Sequence, residues 1–177
     1  MGYNIKPPAC RALLSGLLLL NSGPCLAAST ASGAIAFDTA NELMAAVGKV
    51  KLATAQLEDT LTYCPARFPH LQESANHARA QWRAGNQAVL DQSARVNNAV
   101  LESVKHNASA FTAEKMALEM DALVTHSVQQ LSTQFAAKPM KEQHYLCNRL
   151  ILSIATGERD LRIQDPDETR RLMNFKP

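Results

Sequence analysis

Apolar positions between residues 43 and 64 recur at intervals of four and three residues, which places their side chains on one face of an α-helix. The series is Leu43, Val47, Val50, Thr54, Leu57, Leu61 and Cys64. A regular 4-3 alternation is typical of helices that pack along one another at a shallow angle. Asp38 is a good N-cap, and Pro65 disfavours helical geometry at the residue before it. The sequence therefore predicts a first helix over residues 38–64.

The next apolar stripe predicts a second helix from Pro69 to about His106, since proline suits a first helical turn. Its apolar positions are Leu71, Ala75, Ala78, Trp82, Gly85, Val89 and, more weakly, Val96 and Val100. A glycine inside a helix costs about 1 kcal/mol relative to alanine. Because Gly85 falls within the stripe, we expect another helix to approach it closely.

Two further stripes predict a third and a fourth helix. The third follows an N-cap at Ser109 or Thr112, and its stripe is Met116, Met120, Leu123, Val124, Ser127, Leu131 and Phe135. The fourth covers about residues 139–155, with Met140, His144, Cys147, Ile151 and Ile154 on one side, and Gly157 as a C-cap. The connection at Lys138-Pro139 is short, so these two helices should be antiparallel neighbours.

The end of the chain predicts a short terminal helix, because Asp165, Pro166 and Glu168 match the N-cap, N1 and N3 preferences, and Leu172 and Phe175 follow. No segment alternates convincingly with the period of a strand. We therefore predict an all-α protein, an antiparallel four-helix bundle (up-down-up-down) with a short C-terminal helix. A dimer of helical hairpins is the alternative, and the oligomeric state stays open.

The first 27 residues have the pattern of a secretory signal peptide. Lys6 and Arg11 are basic, an apolar run follows over residues 13–20, and small residues follow Pro24. The run is too short to span a membrane. We expect a signal peptide at 1–27, a disordered leader at 28–37 and a single domain at 38–177. Lipid attachment at Cys25 is the competing interpretation, which the Ser22-Gly23-Pro24 sequence before it disfavours.

Removal of the signal peptide changes the charge of the chain. The full sequence has 18 Lys and Arg against 16 Asp and Glu. Loss of Lys6 and Arg11 makes the remaining chain formally neutral. The composition therefore gives no indication of nucleic-acid binding. We expect an exported protein, in the periplasm or, alternatively, in the extracellular space.

Cys64 and Cys147 are the two cysteines left after cleavage, and each lies on the apolar stripe of its helix. Two cysteines in an exported domain predict one disulfide. A redox-active cysteine pair is less consistent with these positions, because such pairs more often have the C-x-x-C spacing. His144 shares a helix face with Cys147, so a Cys-His-Cys zinc site is a further alternative that lacks a fourth ligand.

His70, Glu73 and His77 follow the i, i+3, i+7 spacing of one helix face, which makes them candidate ligands for a divalent cation. The same face can equally be an ordinary solvated surface. The C-x-x-C-H motif of covalent haem attachment does not occur, and we predict no cofactor. A cofactor or metal bundle that uses His144, or His70, Glu73 and His77, is kept as the alternative function.

No nucleophile elbow, H-E-x-x-H motif or phosphate-binding glycine loop occurs in the sequence, so we predict that the protein is not an enzyme. Arg67, His70, Arg79 and Arg83 surround the turn between the first two helices and form a candidate binding surface. The predicted function is protein–protein binding, as in an immunity protein, an inhibitor or a chaperone. The expected partner is another exported protein.

Overall fold

The computed structural model describes residues 35–176, and the secondary structure in this range is entirely helical, which confirms the all-α prediction. The predicted signal peptide, most of the predicted leader and the alternative lipidation site at Cys25 lie outside the described residues. The described fold reaches back into the predicted leader. Ile35 packs against the core, and its N–H donates to Ser103 Oγ at 3.3 Å.

Six α-helices and one 3₁₀ turn make up the described chain. They are α1 Phe37–Arg67, a 3₁₀ turn Pro69–Leu71, α2 Gln72–Asn107, α3 Ala110–Ala136, α4 Met140–Ala155, α5 Leu161–Gln164 and α6 Pro166–Asn174. Ser109 caps α3 by accepting the N–H of Thr112, as predicted. Gly157 follows α4 with a φ of +79°, a conformation that glycine adopts without strain. The predicted terminal helix is confirmed as α6, whereas α5 was not predicted.

The prediction that Pro65 ends the first helix is wrong. Helix α1 continues to Arg67, and the N–H of Phe68 donates to the Cys64 carbonyl at 2.8 Å. Proline removes one backbone donor from the helix, and this loss costs little in the last helical turn. Burial of the proline ring also stabilises the arrangement. Pro65 is buried in the core, so packing outweighs the local preference of the preceding residue.

Helices α1 and α2 form a long hairpin whose facing stripes make the centre of the core. Val47 and Leu61 of α1 and Val89, Val96 and Val100 of α2 are all essentially inaccessible to solvent. The stripes predicted for these helices are buried except at Thr54, which is half-buried, and at Gly85.

Gly85 is exposed, so the predicted close approach of another helix at this position is wrong. A Cβ atom built at Gly85 would meet only Asp160 Oδ2, at 3.8 Å. The buried position is the next residue, Asn86, whose amide replaces an apolar contact with hydrogen bonds.

Helix α3 lies alongside α1 and runs in the same direction. Lys51 pairs with Asp121 and, further along both helices, Asp59 accepts a hydrogen bond from Ser132 at 2.9 Å. Ala113 is the one residue of α3 that is buried, whereas Met116, Met120 and Phe135 are half-buried against the core. The stripe predicted for this helix is therefore only partly covered, since Leu123 and Leu131, which belong to it, are exposed.

Helices α4, α5 and α6 together lie alongside α2 and run in the same direction. Cys147 of α4 is bonded to Cys64 at the hairpin turn, Trp82 Nε1 donates to the Arg159 carbonyl, and Gln92 Nε2 donates to the Leu172 carbonyl. Lys49 pairs with Glu168, which also ties α6 to α1. The last layer of the fold is thus a broken helical segment rather than one continuous helix.

Helices α3 and α4 pack little against each other, so their predicted pairing as antiparallel neighbours is not confirmed. An open groove lies between them instead. Among residues 35–176, none of the helices is long and apolar enough to cross a membrane.

Candidate functional site

The groove between α3 and α4 is a cavity of about 390 Å³ with α1 as its floor. Its walls are mainly apolar, and its principal contributors are Leu57, Tyr63, Val128, Leu131, Phe135 and Ile154. Residues 51–60 of α1 are half-buried, except for the buried Leu57, because α3 does not cover them completely. A concave apolar surface of this size is typical of a ligand or peptide site.

One end of the groove is fixed by an aromatic pair and a buried amide. The rings of Tyr63 and Phe135 meet edge to face, with their centres 5.4 Å apart. Tyr63 Oη donates to Gln143 Oε1 at 2.7 Å, and the Gln143 amide donates in turn to the carbonyls of Ala136 and Lys138. Gln143 therefore satisfies the C-terminal carbonyls of α3 while it holds the tyrosine in place.

The other end of the groove is formed by the broken segment after α4. Arg159, Leu161, Gln164 and Asp165 contribute to this wall. Leu161 is held in place because its N–H donates to Asn86 Oδ1 at 2.9 Å. The groove therefore combines mainly apolar walls with polar groups from this segment, from Ser132 and from Gln56, Asp59 and Thr60 on the α1 floor.

The outer surface of α3 carries several apolar side chains that are exposed. Leu131, at the edge of the groove, is 47% exposed, and Phe111, Leu118 and Leu123 are more exposed still. These side chains point in different directions around α3, and of the four only Leu131 borders the groove. Leu123 and Leu131 belong to the predicted stripe, but their exposure was not predicted, because a stripe indicates which positions are apolar and not whether anything covers them.

The disulfide between Cys64 and Cys147 is present, as predicted. The two Cα atoms are 5.6 Å apart, a usual separation for a disulfide, and both side chains are fully buried. Cys64 also contributes to the wall of the groove. Because both sulfur atoms are in the bond, neither is available to the alternative Cys-His-Cys zinc site.

The structure separates the residues of the predicted His70, Glu73 and His77 face. His70 lies in the 3₁₀ turn rather than in α2, and its Nε2 is 3.0 Å from Nε2 of His144. Glu73 and His77 instead border a second, more open pocket between α2 and α4, with Tyr145. Among residues 35–176 there is no cluster of three or more His, Cys, Asp and Glu side chains suited to a metal.

Two of the candidate surface arginines are engaged in ion pairs. Arg79 Nε donates to Glu58 Oε2 at 2.8 Å, and Arg83 Nη2 donates to Glu58 Oε1 at 2.7 Å. Partial burial alone raises the pKa of the Glu58 carboxyl, but the hydrogen bonds and charges of Arg83 and Arg79 outweigh it and lower the pKa. These arginines link α2 to α1, whereas Arg67 is exposed at the end of α1.

In comparisons with known proteins, no family model, no curated protein and no solved structure matches this chain.

Proposed function

We propose that this protein is a small exported binding protein whose groove between α3 and α4 holds an apolar helical segment of another protein. The observation that carries the proposal is an open, mainly apolar groove beside a helix whose leucines face solvent. In this proposal the architecture is an up-down-up-down four-helix bundle whose fourth position is filled by α4–α6. The bundle is open between its third and fourth positions.

Export is supported by two independent features. The first 27 residues have the order of charges, apolar run and small residues expected of a secretory signal. The buried disulfide requires an oxidising compartment to form and persist. Both features support export, and we propose the periplasm as the compartment, with the extracellular space as the alternative.

A helix is the occupant that best suits the shape of the groove. The groove is bordered by two helices and floored by a third, the arrangement in which an amphipathic helix inserts its apolar face. Leu131, which is 47% exposed, continues the apolar wall to the rim of the groove. Gln56, Asp59 and Thr60 on the floor can bind the polar edge of such a helix.

Site-specific photo-crosslinking in the producing cells tests the proposal. A photoreactive residue at Leu131, at the groove edge, should yield one adduct of discrete mass with another protein. The same residue at Ala88, exposed on α2, should not. Ala53→Trp fills the groove from its floor and should abolish the Leu131 adduct while the disulfide and helical content remain intact.

Three results would contradict the proposal. These are equal crosslinking at Leu131 and Ala88, no protein adduct at Leu131, and an adduct that Ala53→Trp leaves unchanged. Native mass spectrometry of the purified protein adds a separate check. A lipid-sized molecule retained by the wild type and lost from Ala53→Trp would assign the groove to a small apolar ligand instead.

A further inference from the structure

Two histidines that are 74 positions apart in sequence meet at the hairpin end of the molecule. His70 Nε2 and His144 Nε2 are 3.0 Å apart, and the ring centres are 5.1 Å apart. The two ring nitrogens therefore face each other. One side chain is exposed and the other half-buried, so the space beside the two nitrogens is open to water.

We propose that His70 and His144 together bind one divalent transition-metal ion, with Cu²⁺ as the preferred ion. Neutral imidazole is a common ligand of copper, nickel and zinc, and Cu²⁺ has the highest affinity of the divalent series. Two nitrogens ~2.0 Å from one metal and at right angles around it lie ~2.9 Å apart, close to the observed separation. A tetragonal ion fits this angle better than a tetrahedral one.

The surrounding structure holds both imidazoles near this arrangement before a metal arrives. The ring of His144 packs edge to face on Phe68, with centres 4.9 Å apart. The buried Cys64–Cys147 disulfide joins α4 to the end of α1, close in sequence to both histidines. Because the chain segments are already fixed, less conformational entropy is lost when the metal binds.

Metal binding requires three small local changes. Because the contact between the two Nε2 atoms is a hydrogen bond, one of them carries a proton, and that imidazole must adopt the tautomer protonated at Nδ1 before its Nε2 can bind the metal. The Asn148 amide, whose Nδ2 is 3.2 Å from His144 Nε2, must release that nitrogen. The rings must also rotate so that both lone pairs converge on one point, which the broad χ2 preference of histidine allows. The protein then supplies two ligands and water completes the coordination of the ion.

Titration of the purified, disulfide-intact protein with Cu²⁺ alone tests the proposal. Electron paramagnetic resonance should show one copper per chain with two imidazole nitrogens. His70→Ala and His144→Ala should each weaken binding about tenfold or more, because chelation by the second ring is lost. His77→Ala is the matched control, a neighbouring histidine outside the pair, and should bind as the wild type does.

A second readout is unfolding by urea with and without Cu²⁺. At a free concentration a hundredfold above Kd, the metal should raise the ratio of folded to unfolded protein about a hundredfold. His70→Gln, which keeps a polar side chain in the turn, should fold normally and lose this effect. The proposal is overturned if a single nitrogen is detected, if His70→Gln binds as tightly as the wild type, or if His77→Ala loses binding equally. None of these results depends on the proposed protein partner of the groove.

Discussion

The two sides of the α1–α2 hairpin are covered in different ways. On one side, Leu161 and Leu172 of the α5–α6 segment are 1% and 0% exposed. On the other side, Leu118 and Leu123 of α3 are 62% and 68% exposed. Helix α3 is three times as long as α6, with 27 residues against 9, yet it places fewer large side chains in the core. Length and apolar content alone therefore do not determine how firmly a helix is held.

The hydrogen bonds follow the same division. Side chains of α2 at Trp82, Asn86 and Gln92 bond to backbone atoms of the α5–α6 segment. Helix α3 is joined to α1 along its length mainly by side-chain contacts at the surface, such as Lys51 with Asp121. Buried bonds to backbone specify one position, whereas exposed ion pairs contribute little and tolerate displacement. The α5–α6 side is therefore the more firmly fixed, and the α3 side is the one that we expect to adapt to the proposed partner.

The largest expected effect comes from removing the disulfide, which ties the fixed side to α1. The bond closes a loop between cysteines 83 positions apart, worth about 4 kcal/mol in the chain-entropy model. Cys64→Ala/Cys147→Ala should lower the free energy of unfolding by that order, measured by urea titration. The rate of amide hydrogen exchange should increase more in α4 than in α3. Equal urea midpoints for the oxidised and the reduced wild-type protein would contradict this prediction, because they would show that the disulfide does not stabilise the fold.

A pair of leucine substitutions compares the two sides directly. Leu172→Ala removes a fully buried side chain and should destabilise the protein by about 2–5 kcal/mol. Leu123→Ala removes the same atoms from an exposed position and should change stability by less than about 0.5 kcal/mol. Both values come from urea unfolding monitored by circular dichroism. A large loss at Leu123 would mean that α3 is enclosed in solution, for example by a second copy of the chain.

Asn86→Ala tests whether buried hydrogen bonds fix the α5–α6 segment. Asn86 accepts from the Leu161 N–H and donates to the Trp82 carbonyl, so its loss leaves both groups without these partners. We expect a loss of about 1–3 kcal/mol and faster amide exchange at Leu161. Gln87→Ala, next to it and exposed, is the control and should have little effect. Unchanged exchange at Leu161 would show that packing alone holds the segment.

The smallest expected effect is that of Glu58, which pairs with Arg79 and Arg83. Its pKa is lower in the folded protein, so its contribution is present above the ordinary value of 4.5 and is lost as the pH falls through the lower value. Since the pair is partly exposed, Glu58→Gln should cost at most about 1 kcal/mol at pH 7. The difference from wild type should shrink as the pH falls below 4.5.

The main helices could be predicted because they depend on local spacing, and the stripe from Leu43 to Cys64 identified the buried face of α1. The disulfide was predicted by elimination, because Cys64 and Cys147 are the two cysteines outside the predicted signal peptide. The end of α1 was misplaced because the rule about prolines describes a local preference, and burial of Pro65 overrides it. Gly85 was misassigned because the stripe shifts by one residue to Asn86.

The groove and the histidine pair could not be predicted from spacing. The groove exists because α3 and α4 diverge, and that depends on how the broken α4–α6 segment docks on α2. His70 and His144 meet because a 3₁₀ turn, rather than the first turn of α2, places His70 beside α4. Both features arise from contacts between distant segments, which the periodicity of one helix does not contain.

The position of the two core cysteines also bears on how reliably the protein matures. The full chain has four cysteines, which allow three different sets of pairings. Cleavage at the proposed site removes Cys10 and Cys25, and a single intramolecular pairing then remains. In the proposed exported form, oxidation alone would then be sufficient to produce the correct bond, with no need for a disulfide isomerase to repair errors. Removal of the predicted signal peptide would thus set the fidelity of oxidation as well as the destination of the chain.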